Sequence, residues 1–193
     1  MLKVNQLLSI FCCRVSLLAC LLFLVACGGG ADTSAEKAPS FTPPTVNEDD
    51  LIGRLSTQMV ADPVSQADQD QNTIINYAID KRLDVYRTPS GLYIQLLETG
   101  EGPAPTRARK VVAHYKGSLM DGTVFDSSYK RSKPLEFQLG QVIAGWQEGL
   151  SLLKPGGKAI LLVPSGLAYG PAGRTGIPPN AVLRFDVELL EVK

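Results

Sequence analysis

The spacing of apolar residues changes once along the chain, near residue 88. Ahead of that point it is helical. Leu51, Leu55 and Met59 stand four apart behind Asp49 and Asp50, which predicts a short amphipathic helix stopped by Pro63. A second helix is predicted over about 69–83, with Ile75, Ile79 and Leu83 on one stripe and Ile74 and Ala78 beside it. Neither stripe is large enough to make a domain, so 48–87 reads as a helical extension that must close on the main body or on a second copy of the chain. A homodimer through these helices is therefore left open.

After Thr88-Pro89-Ser90-Gly91 the period falls to two. Strands are predicted at 92–97, 111–117, 123–126, 135–139, 159–163 and 183–189, with turns at 100–103 and 120–122. The last strand alternates most regularly, Leu183, Phe185 and Val187 facing one side and Arg184, Asp186 and Glu188 the other. One buried face and one wet face imply an antiparallel sheet, and the only helix predicted after residue 90 begins near Trp146. The expected class is α+β, with one domain over 88–193.

The first residues account for part of the 45% hydrophobic content. Lys3 and Arg14 precede an apolar run at 15–26 that falls short of the about 20 residues needed to span a bilayer, so 1–26 reads as a signal peptide. The run ends in Leu24-Val25-Ala26-Cys27-Gly28, which resembles the bacterial lipobox. That resemblance implies a lipid on Cys27 and attachment to a membrane. Because Gly28 rather than an acid follows, it also implies an address in the bacterial cell envelope, at the outer membrane and facing the periplasm. The stretch 27–47, mostly Gly, Ser, Thr, Ala and Pro, reads as a flexible tether.

Cys12, Cys13, Cys20 and Cys27 all lie at or before the lipobox, so no disulfide staples the body and its apolar core must hold it together. Removing 1–26 takes two cations and no acid, moving the formal charge from 0 to −2. There is no Lys/Arg-rich run, which excludes a nucleic-acid partner.

The same inventory excludes most chemistry. His114 is the only histidine; it alternates within VVAHYKG and reads as a packed strand residue, so no Cys/His metal cluster exists and no cofactor is expected. No serine sits in a Gly-x-Ser-x-Gly elbow, and the glycine-rich run 165–176 lacks the Gly-Lys-Ser/Thr ending of a phosphate loop. What remains is an apolar set without a nucleophile: Tyr115, Phe125, Val142, Ile143, Trp146, Tyr169, Ile177 and Phe185, with Phe137 assigned to the core. The acid Asp126 stands among them, and a carboxylate before Ser127-Ser128 also suits a turn cap. A reaction that needs no attacking group is rotation about an X-Pro bond, whose barrier of about 18–20 kcal/mol is amide resonance.

The blocks VVAHYKG, DGTVFDSS, LGQVIAGWQEGL, LAYG, GIPPNA and LRFDVELLEV, in that order over about 91–193, resemble the FKBP-type peptidyl-prolyl cis-trans isomerases. The resemblance implies a curved antiparallel sheet of five to six strands around one short helix. Trp146 would floor a proline pocket walled by Tyr115, Phe125, Val142, Ile143 and Phe185, with Ile177 and Leu135 also binding substrate and Tyr169 at the rim. It further implies that the Ile143 N–H and Tyr169 hydroxyl bind carbonyls, with Asp126 near the reacting amide. Proline-containing exported polypeptides would be the substrates and macrolides the inhibitors. Leu135 replaces an aromatic wall common in the family, Arg174 stands where its loop often carries another residue, and the run 169–178 has no inserted chaperone flap. The competing reading is a non-catalytic module that holds proline peptides or acts as a chaperone.

Overall fold

The structure, a computed structural model, describes residues 47–193. The signal peptide, Cys27 and nearly all of the tether lie outside the described residues.

Helix α1 (Glu48–Ser56) starts where Asn47 caps it, the Asn47 side chain accepting from the Asp49 and Asp50 N–H groups at 3.0 and 3.2 Å. Helix α2 (Gln66–Asp80) begins three residues ahead of the expected start at 69, because Ser65 and Asp68 form a reciprocal capping box. It also stops earlier than expected: Arg82 takes a positive φ of 51°, and Leu83 is buried beyond the helix end.

Seven strands follow: β1 (Tyr86–Arg87), β2 (Tyr93–Glu98), β3 (Lys110–Leu119), β4 (Val124–Ser127), β5 (Leu135–Gln138), β6 (Lys158–Val163) and β7 (Leu183–Val192). They form one antiparallel sheet in the order β1-β2-β6-β7-β3-β4, with β5 pairing the first half of β3. The expected α+β sheet is present, one strand larger because of the two-residue β1. Helix α3 (Ala144–Ser151) is the α-helix after residue 90.

The two faces of the sheet carry two cores. On one, Leu150 and Trp146 of α3 pack against Ile94, Leu161, Val163, Phe185 and Val187. On the other, Leu51 and Leu55 of α1 and Ile74, Ile75 and Ala78 of α2 pack against Tyr93, Ile160 and Leu162. The extension therefore meets its burial requirement on its own sheet, and neither stripe needs a second copy to cover it.

This packing corrects the reading of β7, whose polar side is not wet. Asp186 is fully buried, paired with Arg184 at 2.6 Å and Lys116 at 3.0 Å, and Arg184 also donates to the Tyr77 hydroxyl of α2 at 3.1 Å. A local alternation pattern contains no information about a helix that later covers it.

Helix α3 lies close to the sheet because two of its residues lack a Cβ. A Cβ at Gly149 would stand 2.7 Å from the Leu161 methyls, and one at Gly145 would be 2.5 Å from Val163 Cγ1. Gly149→Ala is accordingly expected to cost about 1–3 kcal/mol through overpacking, read as a lower urea midpoint with an unchanged slope. An unchanged midpoint would mean that α3 has room to move.

Candidate active site

Where α3 meets the sheet, a cavity of about 360 Å³ opens between them. β3 supplies Tyr115, β4 Phe125 and Asp126, β5 Leu135 and β7 Phe185. The segment before α3 supplies Gln141, Val142 and Ile143, α3 itself Trp146, and the loop after β6 Tyr169 and Arg174.

Trp146, 5% exposed, is ringed by aromatic neighbours that meet it mostly edge-on, a favourable arrangement of quadrupoles. Tyr115 lies 4.9 Å away at 79°, Phe185 5.2 Å away at 82°, and Phe137 5.5 Å away at 51°. Phe125 and Phe185 form a further edge-to-face pair at 5.7 Å. That pair depends on Gly117 of β3, where a Cβ would stand 2.7 Å from the Phe125 ring and 2.9 Å from Phe185.

Two donors, one backbone N–H and one hydroxyl, belong to residues of this cavity's wall. Ile143 precedes α3 as its N-cap residue, and its N–H has no hydrogen-bond partner among the described residues. The segment carrying it is fixed by the Gln147 amide, which donates to the Val142 carbonyl at 2.7 Å. The Tyr169 hydroxyl accepts from Arg174 Nη1 at 3.3 Å, leaving its own proton free to donate, and the guanidinium lies 5.5 Å from the Tyr169 ring centre.

Asp126 sits in a polar knot at the rim. Its Oδ2 accepts from the Tyr115 hydroxyl, and its Oδ1 accepts from Arg131 Nη1 and, at 2.8 Å, from the Ser127 N–H. Arg131 Nη2 completes the triangle by donating to the Tyr115 oxygen at 2.8 Å. Burial works to raise the carboxyl pKa, but the hydrogen bonds from Tyr115 and Arg131 and the Arg131 charge outweigh it and hold Asp126 below the ordinary value. Burial pushes the Tyr115 phenol up, so it stays protonated as a donor.

The structure thus brings together Tyr115, Phe125, Asp126, Leu135, Val142, Ile143, Trp146, Tyr169 and Phe185, all expected from sequence. Ile177 is the exception. It is 6% exposed inside the core cluster and does not line the cavity. Its backbone bridges to Arg174, where Gly173 and Gly176 take positive φ of 61° and 78°, so it anchors the loop from behind. Arg131 is a site residue that the sequence does not single out, since it stands between the exposed Lys130 and Lys133 in the turn after β4. His114 stacks on Tyr129 at 4.6 Å with Nδ1 2.9 Å from Ser128 Oγ, as a packed strand residue should. Among the described residues no group of His, Cys, Asp or Glu is arranged to hold a metal ion.

The Tyr169 loop is also held from the far side of the sheet. Asp70 of α2, 3% exposed, accepts from the Ser165 N–H at 2.8 Å and hydroxyl at 2.6 Å, and from the Gln66 amide at 2.7 Å. A larger hollow, about 610 Å³, lies beside this contact with Ala67, Ile74, Arg87, Leu167 and Pro171 in its wall. It contains none of the aromatic ring set or Asp126, so the chemistry is assigned to the smaller cavity.

Comparison with known proteins identifies the family. The family model described as FKBP-type peptidyl-prolyl cis-trans isomerase matches residues 102–190. The chain is 53% identical over 113 residues to the FKBP-type isomerase FkpA of Escherichia coli, covering 58% of this chain and 42% of that protein. It is 48% identical to the FKBP-type 22 kDa isomerase of the same organism, with 58% and 55% covered. The matched region thus spans about half the length of these relatives. Among solved structures, the crystal structure of E. coli FkpA superposes with a TM-score of 0.61 at 43% identity, over 73% of this chain and 63% of that one. The crystal structure of AtFKBP13 superposes with a TM-score of 0.52 at 40% identity, over 57% of this chain and 99% of that one. With nearly all of one solved relative matched and the same residues fitting the family model, the chain belongs to the FKBP-type peptidyl-prolyl cis-trans isomerase family.

Proposed function

We propose that residues 88–193 accelerate rotation about X-Pro bonds in proline-containing polypeptides, by desolvation and without a covalent intermediate. The observation that carries this is the ring-lined cavity over Trp146, with one carboxylate knot at its rim and two unengaged donors on residues of its wall. In the transition state the amide twists, its C–N double-bond character is lost and its carbonyl dipole shrinks. An apolar surround therefore favours the twisted form over the planar one, relative to water. Each tenfold of rate needs only about 1.4 kcal/mol, which shape and one or two hydrogen bonds supply.

In this reading Trp146 floors the proline ring, and Tyr115, Phe125, Val142, Leu135 and Phe185 enclose it. The Ile143 N–H and Tyr169 hydroxyl hold the flanking carbonyls, and Asp126 ties Tyr115 to Arg131. The same hollow suits macrolide inhibitors. Lipid on Cys27, left at the N-terminus once 1–26 is removed, would hold the domain at the outer membrane facing the periplasm, where exported chains are its substrates. Mass spectrometry of the mature N-terminus tests the anchor.

A tetrapeptide isomerisation assay tests the activity. Binding of proline peptides by folded protein without any acceleration would select the non-catalytic module instead. The pH dependence adds a sharper check. A carboxyl held below its ordinary value stays ionised until pH falls past about 4, and the stability its ionised form contributes is likewise lost only below that range. We expect kcat/KM to be flat from about pH 8 to 5, and Arg131→Gln to move the acid limb upward. A limb that stays put in Arg131→Gln would disconnect Asp126 from the rate.

Gly117→Ala is expected to lower kcat/KM by about tenfold, since the new methyl drives Phe125 and Phe185 into the cavity. Wild-type kcat/KM in that variant would mean the rings relax elsewhere.

A further inference from the structure

We propose that Arg174 selects X-Pro bonds in which X, the residue before proline, carries a carboxylate. This rests on the isomerase reading above and adds a substrate class to it. Two arginines reach the cavity region, and they are in different states. Arg131 is tied to Asp126, the one acid in the cavity wall. Arg174 lines the cavity, is exposed, and has no carboxylate partner among the described residues.

Arg174 is nevertheless held in place. Its backbone N–H donates to the Ile177 carbonyl at 2.9 Å and its carbonyl accepts from the Ile177 N–H at 2.7 Å, while its side chain rests on the Tyr169 ring. Only Nη1 is used, on the Tyr169 oxygen, so most of the guanidinium fork remains available for a bidentate carboxylate. A positioned side chain loses less entropy on binding than a free one.

The isomerase reading sets which substrate residue meets it. The carbonyl of an X-Pro amide belongs to X. If the Tyr169 hydroxyl holds that carbonyl, the Cα of X is one bond away and its side chain starts beside the Tyr169 ring that Arg174 covers. The acids at and beside the cavity wall are already taken, Asp126 by Arg131 and Glu136, next to Leu135, by Lys193 at 2.6 Å.

The test uses neutral-capped tetrapeptides that differ only at X: Glu, its isostere Gln, Leu and Lys. We expect kcat/KM for Glu-Pro to exceed that for Gln-Pro by about fivefold at low salt, the factor an exposed ion pair supplies, and the ratio to fall toward one at high salt. Arg174→Gln should abolish the ratio, and Arg174→Glu should reverse it in favour of Lys-Pro. A merely structural role for Arg174 would lower all peptides alike and leave their order unchanged. A Glu/Gln ratio near one in the wild type, or one that survives Arg174→Gln, overturns the inference while leaving the isomerase intact. Failure to accelerate any peptide, with the protein folded, overturns the isomerase reading instead.

Discussion

Asp126→Val is expected to lower kcat/KM for X-Pro rotation by about tenfold to a hundredfold while the protein remains folded. The Asp126 carboxylate holds both the Tyr115 hydroxyl and the Arg131 guanidinium, and these two hold each other. A hydrogen bond to a charged group contributes about 1.5–3 kcal/mol net, and each 1.4 kcal/mol is tenfold, which sets the range. Without the acid, Tyr115 is free to turn and Arg131 to swing into solvent, and water gains entry along the wall that β4 provides. Stability should change far less, since the Asp126 side chain is 42% exposed and its ion pair with Arg131 faces water. Near-ultraviolet circular dichroism of the variant, beside the peptide assay, separates the two effects. A folded variant with wild-type kcat/KM would mean that the knot shapes the rim without supporting catalysis. Asp126→Asn makes the finer comparison: it keeps an acceptor for Tyr115 but loses the charge that orders Arg131, so an intermediate rate is expected.

The residues in this knot mark how far the sequence alone could be read. Asp126, Tyr115 and Trp146 stood out because a chain with one histidine and no thiol beyond Cys27 leaves little else for chemistry. Arg131 could not stand out in the same way. It lies in a 3-10 turn between β4 and β5 among other exposed cations, and only the chain path shows that its side chain turns back toward Asp126. Ile177 shows a different limit. Its block matches the site pattern, and its side chain lies in the core cluster that also holds Trp146 and Phe185, outside the lining of the cavity itself.

Element types were legible wherever one face repeats, as in α1, α2 and β7. The boundaries moved where capping chemistry, such as that of Ser65 and Asp68, outweighed the apolar period. The contents of the sheet's second face were not legible. Asp186 and Arg184 look solvated in one dimension and are covered by α2 in three.

That covering also gives the largest expected loss of stability. Asp70→Ala should cost about 3 kcal/mol, because it strands the buried Ser165 N–H and hydroxyl away from water without their acceptor, while the exposed Gln66 amide turns to solvent. Asp70→Asn should cost less, since its carbonyl still accepts one of these bonds. The consequence extends to the site, for Ser165 begins the loop that carries Tyr169 four residues on, and α2 grips that loop through Asp70. We expect Asp70→Ala to lower kcat as well as the urea midpoint. A double-mutant cycle with Tyr169→Phe distinguishes the routes. If Asp70 acts on catalysis by placing the Tyr169 hydroxyl, adding Asp70→Ala to Tyr169→Phe should change kcat little further, while the midpoint still falls by the full amount. Equal losses of kcat in both backgrounds would show that the helical extension stabilises the domain but does not set the position of its rim tyrosine.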